Sequence, residues 1–377
     1  NEFFWRLSMT KAAELAKMGE VLTNSQIGGR RNLILNPKME IAQRGTSFSS
    51  ISSNTYTVDR WQLQAAGDGR CTITQSTTVP NNTFLYSAKV DVTTADTSLA
   101  TTDLQSFTQR IEGNVSSQLG LGTSSAKSFT VSFWVRSNKT GTYCVAIRNA
   151  SGGRSITSEY SISSADTWEH KVITFSGDTT GTYSTDNSEG INVNFVLLAG
   201  TNYDGKTADT WEANTNFATD NQVNLFDNTS NEWYVTGVQL EAGSYAGGTS
   251  FEHRSFGEEL NLCRRYFTVL ADGNRSVNEA ICDGSYYSAS ILFHTVVLPV
   301  EMRSKPSMIT ADGTNYYITF SNGAGDHHDA IARSGNSSKA VVEITAETNV
   351  NATAGHSCFT RIGGTSADAK CMLDAEL

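Results

Sequence analysis

The feature that most constrains this chain is the alternation in Lys127–Ser137, where Phe129, Val131, Phe133 and Val135 fall on one side and Thr130, Ser132, Trp134 and Arg136 on the other. Successive side chains of a strand point to opposite faces, so this period of two predicts a strand with one face toward a core. Tyr143, Val145 and Ile147 repeat the pattern, and Trp168–Phe175, Ile191–Leu198 and Trp233–Glu241 follow it. Turn-forming runs such as SGDTTG and TNYDGK separate these segments. With Asn32–Asn36, Thr55–Leu63, Cys71–Ser76, Phe84–Val92 and Asp103–Glu112, about ten strands are expected, a number and spacing that suit a two-sheet jelly roll.

A short helical turn is expected in FGEELNLC, Phe256–Cys263, and a domain boundary is placed there. Beyond it, strands are expected near Arg265–Val269, Ala280–Cys282, Ser290–Val300, Asn315–Phe320, Ala340–Thr345, Ser357–Ile362 and Ala369–Leu377, enough for a second, smaller sandwich. At the other end, LSMTKAAELAKMGEVL, Leu7–Leu22, is rich in helix formers, and Ala12, Leu15, Gly19 and Leu22 share one stripe. TNSQIGGRR, Thr23–Arg31, reads as a linker. The expected architecture is therefore all-β after a short N-terminal helix. Residues 1–30 form helix and linker, 31–255 a jelly-roll sandwich, and 256–377 a C-terminal β-sandwich.

Charge separates the same regions. Residues 1–44 carry seven Lys/Arg against four acids, a balance of +3, which leaves −13 on the rest of a chain whose formal charge is −10. A basic head on an acidic body is suited to docking on a different partner from the one the body faces. The acidic body argues against nucleic-acid binding, which needs a phosphate-neutralising basic face. Low charge with abundant Ser, Thr, Asn and Gly fits turn-rich sandwiches. The six cysteines are widely separated with no Cys-x-x-Cys pair, so buried free thiols are expected. No run of 18 apolar residues exists and the first six residues lack a cleavable secretory pattern, so neither membrane insertion nor export by a signal peptide is expected.

Three stretches carry a resemblance. Asn32-Leu-Ile-Leu-Asn-Pro-Lys-Met-Glu-Ile-Ala-Gln-Arg-Gly-Thr46, with Tyr56-Thr-Val-Asp-Arg-Trp61, resembles the opening of the lectin-like, carbohydrate-binding-module-like jelly roll in phage tail-fibre and minor virion proteins. Thr236-Gly-Val-Gln-Leu-Glu-Ala-Gly243 with Phe251-Glu-His-Arg254 is similar to its closing strand, and Glu259–Tyr266 to the connector that follows. Leu298–Arg303 with Pro306, and the final Leu373–Leu377, resemble the sandwich that ends such proteins.

What this resemblance implies is a structural protein of a phage particle: a fibre or spike subunit made in the bacterial cytoplasm and carried on the tail or capsid exterior. It implies a homotrimer, with other virion proteins met through the N-terminal segment and host-surface polysaccharide as a ligand for adsorption. A capsid-decorating fibre without a receptor role and a polysaccharide depolymerase are the alternatives. The family shares no set of catalytic residues. The chain shows no Gly-x-Ser-x-Gly, no His-Glu-x-x-His and no phosphate-cradling glycine loop, so no catalytic residues and no enzymatic activity are expected.

Two groups of residues are candidates for ligands. Flat aromatic rings pack on the apolar faces of sugars, and Trp134, Tyr143 and Trp168 are the foremost candidates for such a platform, with Tyr160 and Trp233 beside them. Core packing is the plain alternative. The opening Asn36–Glu40 and closing Gln239–Glu241 resemble first and last strands that hold a structural calcium ion in carbohydrate-binding jelly rolls. Glu40 and Glu241 would then be the carboxylate ligands, the plain alternative being ordinary solvated or Arg-paired acids. No other cofactor is expected. Asp326-His-His-Asp329 has metal-ligand residue types, but flanking Gly323, Gly325 and Gly335 make it read as a solvated loop tip.

Overall fold

The computed structural model describes residues 31–150, 153–213, 216–346, 349–364 and 367–377. The helix expected at 7–22 and the linker to residue 30 lie outside the described residues. The remainder is all-β and forms two compact units, each built from antiparallel sheets.

The first unit comprises 31–40, Ser47–Thr55 and Trp61–His253. Its strands are β1 (Ser47–Ile51), β2 (Thr55–Tyr56), β3 (Gln62–Ala66), β4 (Arg70–Ser76), β5 (Ser87–Thr94), β6 (Leu104–Glu112) and β7 (Phe129–Ser137). They continue as β8 (Gly141–Asn149), β9 (Ser155–Ile162), β10 (Glu169–Phe175), β11 (Glu189–Ala199) and β12 (Glu232–Ala242). One six-stranded sheet runs β1-β4-β5-β12-β7-β10, the other β2-β3-β6-β11-β8-β9, the jelly-roll sandwich that the strand spacing predicts. The core follows from the alternation. Phe129, Val131, Phe133 and Val135 of β7 are fully buried between the sheets. An aromatic layer spans the sandwich, with Trp61 stacked on Phe107 at 5.0 Å, Phe107 edge-on to Trp233 at 6.2 Å, and Phe195 edge-on to Phe133 at 4.9 Å.

Residues Asn32–Asn36 form no strand, contrary to expectation. The Asn32 side chain explains why. Its Nδ2 donates to the Val238 carbonyl at 3.0 Å and its Oδ1 accepts from the amides of Ile34 and Leu240. A side chain thus supplies the bonds that a ladder would, and Asn36 and Met39 turn the backbone at positive φ.

The second unit comprises Ile41–Thr46, Tyr56–Arg60 and Arg254–Leu377. Helix α1 (Phe256–Arg264) opens its main part. Ser255 caps that helix by accepting from the Glu258 amide, and Glu258 and Glu259 sit in the first turn, where the helix dipole favours acids. Ten strands follow: β13 (Phe267–Asp272), β14 (Ala280–Ser288), β15 (Ile291–Val297), β16 (Ser307–Thr310), β17 (Tyr317–Ser321), β18 (Ala324–His328), β19 (Ala332–Arg333), β20 (Val341–Ala346), β21 (Ser357–Ile362) and β22 (Lys370–Asp374). They form a three-stranded sheet β13-β22-β16 and a seven-stranded sheet β18-β17-β21-β14-β15-β20-β19.

Two sequence segments far upstream complete this unit. Arg44 pairs with Asp374 at 3.1 Å and Glu376 at 3.3 Å, its guanidinium 3.6 Å over the Phe267 ring. Arg60 is buried against Glu376 and lies 3.5 Å over Tyr266. Asp59, also buried, accepts from the backbone and side chain of Gln43.

The expected loop tip at Asp326–Asp329 is instead mostly strand β18, hydrogen-bonded to β17. His328 is fully buried with Nε2 2.9 Å from Thr319 Oγ1. Asp326 accepts from Tyr286 and from the Asn351 amide, and Asp329 from Asn315 and Asn349. These residues are structural.

Candidate functional site

The first unit has two outward sheet faces, one on each side of the core, and they differ in how their polar groups are satisfied. On the β5-β12-β7-β10 side, the register places Lys89 opposite Tyr234, Tyr234 opposite Arg136, and Trp134 opposite both Thr236 and His170. These residues share a face because directly paired residues point the same way. The Arg136 guanidinium sits 4.9 Å from the Tyr234 ring centre, with Trp168 edge-on at 6.0 Å. Trp134 leans on His170 at 5.0 Å. Trp134 and Trp168 are both half-buried, so the structure brings these two candidates together on one surface.

The charged groups of that surface are already paired. Lys89 Nζ lies 2.5 Å from Glu232, Tyr234 donates to Glu232 at 2.7 Å, and Arg136 donates to Asp166 at 2.7 Å. Burial pushes the Glu232 carboxyl up, but the bonds from Lys89 and Tyr234 outweigh it and hold the group below its ordinary range. Trp168 Nε1 is buried with no protein partner among the described residues.

Tyr143 is not part of this surface, a correction to its expected role. It shares the inward face of β8 with Val145 and Ile147, is fully buried, and stacks on Tyr160 at 5.7 Å. Its hydroxyl donates to the Lys139 carbonyl at 2.9 Å, and burial pushes its pKa up to about 12. Tyr160 and Trp233 are core residues for the same reason.

The calcium expectation also fails on geometry. Glu40 meets Lys38 Nζ at 2.9 Å. Glu241 is buried, accepts from Thr249 at 2.6 Å, and faces Arg31 at 3.2 Å. Each acid is neutralised by its own cation, so a divalent ion at either would sit against a positive charge. Among the described residues no group of three or more His, Cys, Asp or Glu could hold a metal ion.

The other sheet carries a cleft that sequence reasoning missed. Asn54, Gln64, Ala65 and Ala66, Leu104, Arg148, Tyr203 and Phe217 line a cavity of about 480 Å³. The register puts Gln62 opposite Thr108, Gln64 opposite Ser106, and both Arg110 and Arg148 opposite Asn192. These side chains therefore project on one face, away from the aromatic core. Most outward faces of this kind carry polar groups bonded to water or to each other. Here Gln62 Oε1, Gln64 Oε1, Ser106 Oγ and Arg148 Nε are buried with no protein partner among the described residues. Gln62 is 7% exposed and Ser106 fully buried, and a buried unpaired polar atom costs about 1–3 kcal/mol each.

A loop builds one wall of the cleft. Phe217 packs on Leu104, Cys144, Ala146 and Val196, with Ala218 beside it, and so covers the outward Val196 of β11. The amides of Phe217 and Ala218 both donate to the Tyr203 carbonyl, and the Lys206 amide donates to Ala218. Lys206 reaches the Ser155 carbonyl at 3.2 Å and pairs with Glu212 at 3.0 Å. Tyr203 stands edge-on to Phe217 at 5.7 Å and remains half-buried, so its ring is available. The Arg148 guanidinium lies 3.9 Å over the Phe217 ring, and burial pulls its pKa down to about 10. Fixed acceptors, one cation and an available ring are a set that hydroxyl-rich molecules can satisfy.

No family model matches the sequence, and no curated protein matches it. Similar solved structures include the enzymatically active domain of bacteriophage CBA120 tailspike protein 4, 15% identical with a TM-score of 0.30. An arabinose-bound α-L-arabinofuranosidase is 11% identical, TM-score 0.33. A family 11 carbohydrate-binding module from Clostridium thermocellum, in complex with a mixed-linked tetrasaccharide, is 14% identical, TM-score 0.28. The matches cover 56%, 63% and 55% of this chain and 21%, 30% and 99% of theirs. The chain thus spans under a third of the first two. At such scores the likeness assigns no activity to the chain. The expectation that it is no enzyme is corrected to this extent: one of these structures is described as enzymatically active and another as an α-L-arabinofuranosidase. That exclusion is withdrawn.

Proposed function

We propose that the first unit is a glycan-binding sandwich whose site is the cleft on the β3-β6-β11-β8 face. The observation that carries this reading is the meeting there of the Gln64 amide, whose oxygen has no protein partner among the described residues, with the Tyr203 ring. Sugar hydroxyls donate to such oxygens, and the C–H face of a pyranose packs on a ring. A second reading places the glycan on the Trp134–Trp168 surface. It is favoured by two half-buried indoles on one face and by the unpartnered Trp168 Nε1.

One experiment separates the two. Bacterial-surface and plant-wall oligosaccharides are screened on an array, and those retained are titrated against the protein and its Tyr203→Ala, Gln64→Ala and Trp134→Ala variants. Loss of binding with Tyr203→Ala and retention with Trp134→Ala is expected. The reverse moves the site to the other sheet, and failure to retain any oligosaccharide removes the reading. Measuring chain length of the same glycans after incubation decides whether binding is accompanied by cleavage.

The setting proposed for this module is the exterior of a phage particle, as a homotrimeric fibre or spike subunit serving host-surface adsorption. The ordered motifs from Asn32 to Leu377 support it. Sedimentation at micromolar concentration is expected to give three times the chain mass, and a monomer would remove the trimer. Image reconstruction of the intact particle tests its location.

A further inference from the structure

We infer that the cleft prefers a carboxylated sugar, a hexuronate or a sialate, over its neutral counterpart, with Arg148 meeting the carboxylate; this rests on the glycan reading above. Among the arginines of the first unit, Arg70 is held by the Gly67 and Gly69 carbonyls, and three others each have a carboxylate of their own. Arg110 faces Glu189 at 3.5 Å, Arg136 faces Asp166 at 2.7 Å, and Arg154 grips Asp178 through two bonds of 2.8 and 2.6 Å. Arg148 has no ion-pair or hydrogen-bond partner among the described residues, and its Nε is buried. What holds it in place is the Phe217 ring, itself seated on the sheet.

A guanidinium is the side chain best matched to a carboxylate, because its planar fork can donate two parallel bonds. Despite burial it stays charged at neutral pH, a form the nearby Glu189 carboxylate favours without bonding it, and a guanidinium with unfilled donors gains by meeting a carboxylate. The Gln64 amide takes hydroxyls, whereas a carboxylate needs a cationic donor. The two kinds of group in the cleft therefore read different parts of one ligand. The chain's net charge of −10 repels an acidic polymer at long range. At physiological salt, screening within about 8 Å leaves the preference to short-range contact.

The test uses galacturonate oligomers and sialyl-oligosaccharides, each beside its carboxyl-reduced form, titrated by calorimetry against the whole chain at about physiological ionic strength. The expected result is at least roughly tenfold tighter binding of one carboxylated ligand than of its reduced form, the scale of one charge-assisted hydrogen bond. Arg148→Gln should abolish that ratio. Arg148→Met keeps a long stem over Phe217 and should give the same result if Arg148→Gln unfolds. Which acid shows the preference distinguishes uronate from sialate. Equal binding of the acidic and reduced forms, or a ratio that survives both variants, overturns the inference and leaves the glycan reading standing. Binding of neither form overturns the inference, while the glycan reading stands or falls with the array.

Discussion

Tyr143 and Trp134 belong to adjacent segments of chain, yet one ring lies between the sheets and the other on a surface. Tyr143→Phe removes the bond to the Lys139 carbonyl. It should cost about 1 kcal/mol in urea unfolding and leave glycan titrations unchanged. The inward direction of Tyr143 was legible, since it shares its face with Val145 and Ile147. For Trp134, the polar company of Ser132 and Arg136 correctly pointed outward. Nothing comparable marked Gln62, Gln64 or Ser106. A polar residue alternating with apolar ones describes the outer face of any strand, whether or not its oxygen finds a partner.

Among the elements, the β17–β18 hairpin turns on Asn322 at φ 48° and Gly323 at φ 78°, the two positive values that a two-residue turn matching strand twist requires. Gly323→Ala should cost about 1 kcal/mol of stability through backbone strain, measured by chemical unfolding, because an added Cβ there meets open space. The Asn-Gly pair was a readable hairpin signal, and the glycines around it drew the reading toward a loop instead. Gly200 is different. A Cβ there would lie 2.2 Å from the Ala100 carbonyl oxygen, so Gly200→Ala should push the Tyr203–Phe217 wall off the sheet. Glycan affinity is expected to fall together with roughly 1–3 kcal/mol of stability; unchanged affinity would detach the loop from the site. In the sequence this loop shows only as a turn region, because its apolar members, Tyr203 and Phe217, are too sparse to set a period.

For the molecule as a whole, acid is expected to loosen the second unit through His294. This side chain is 1% exposed, bonds Thr360 at 2.6 Å, and burial, with a further contribution from nearby His328, pulls its pKa down to about 4. The unfolded chain, with an ordinary imidazole, takes up the proton first. The stability is therefore present above about pH 6.5 and is lost as pH falls toward 4, by roughly 2–3 kcal/mol. Urea midpoints at pH 7 and pH 4.5 should show a smaller shift for His294→Gln than for the unaltered chain. An equal shift would assign the effect to carboxylates. The six cysteines are unpaired, and burial raises the thiol pKa of Cys71 to about 12, so a reductant should leave the melting temperature unchanged. What the sequence by itself determined is the all-β sandwich and the inward or outward direction of many side chains, because a period of two is a local property of each strand. Only tertiary structure decided which outward face carries a cleft. Gln64, Arg148 and Tyr203 meet through sheet register and a folded-back loop, and no local pattern encodes contacts between residues so far apart in the chain.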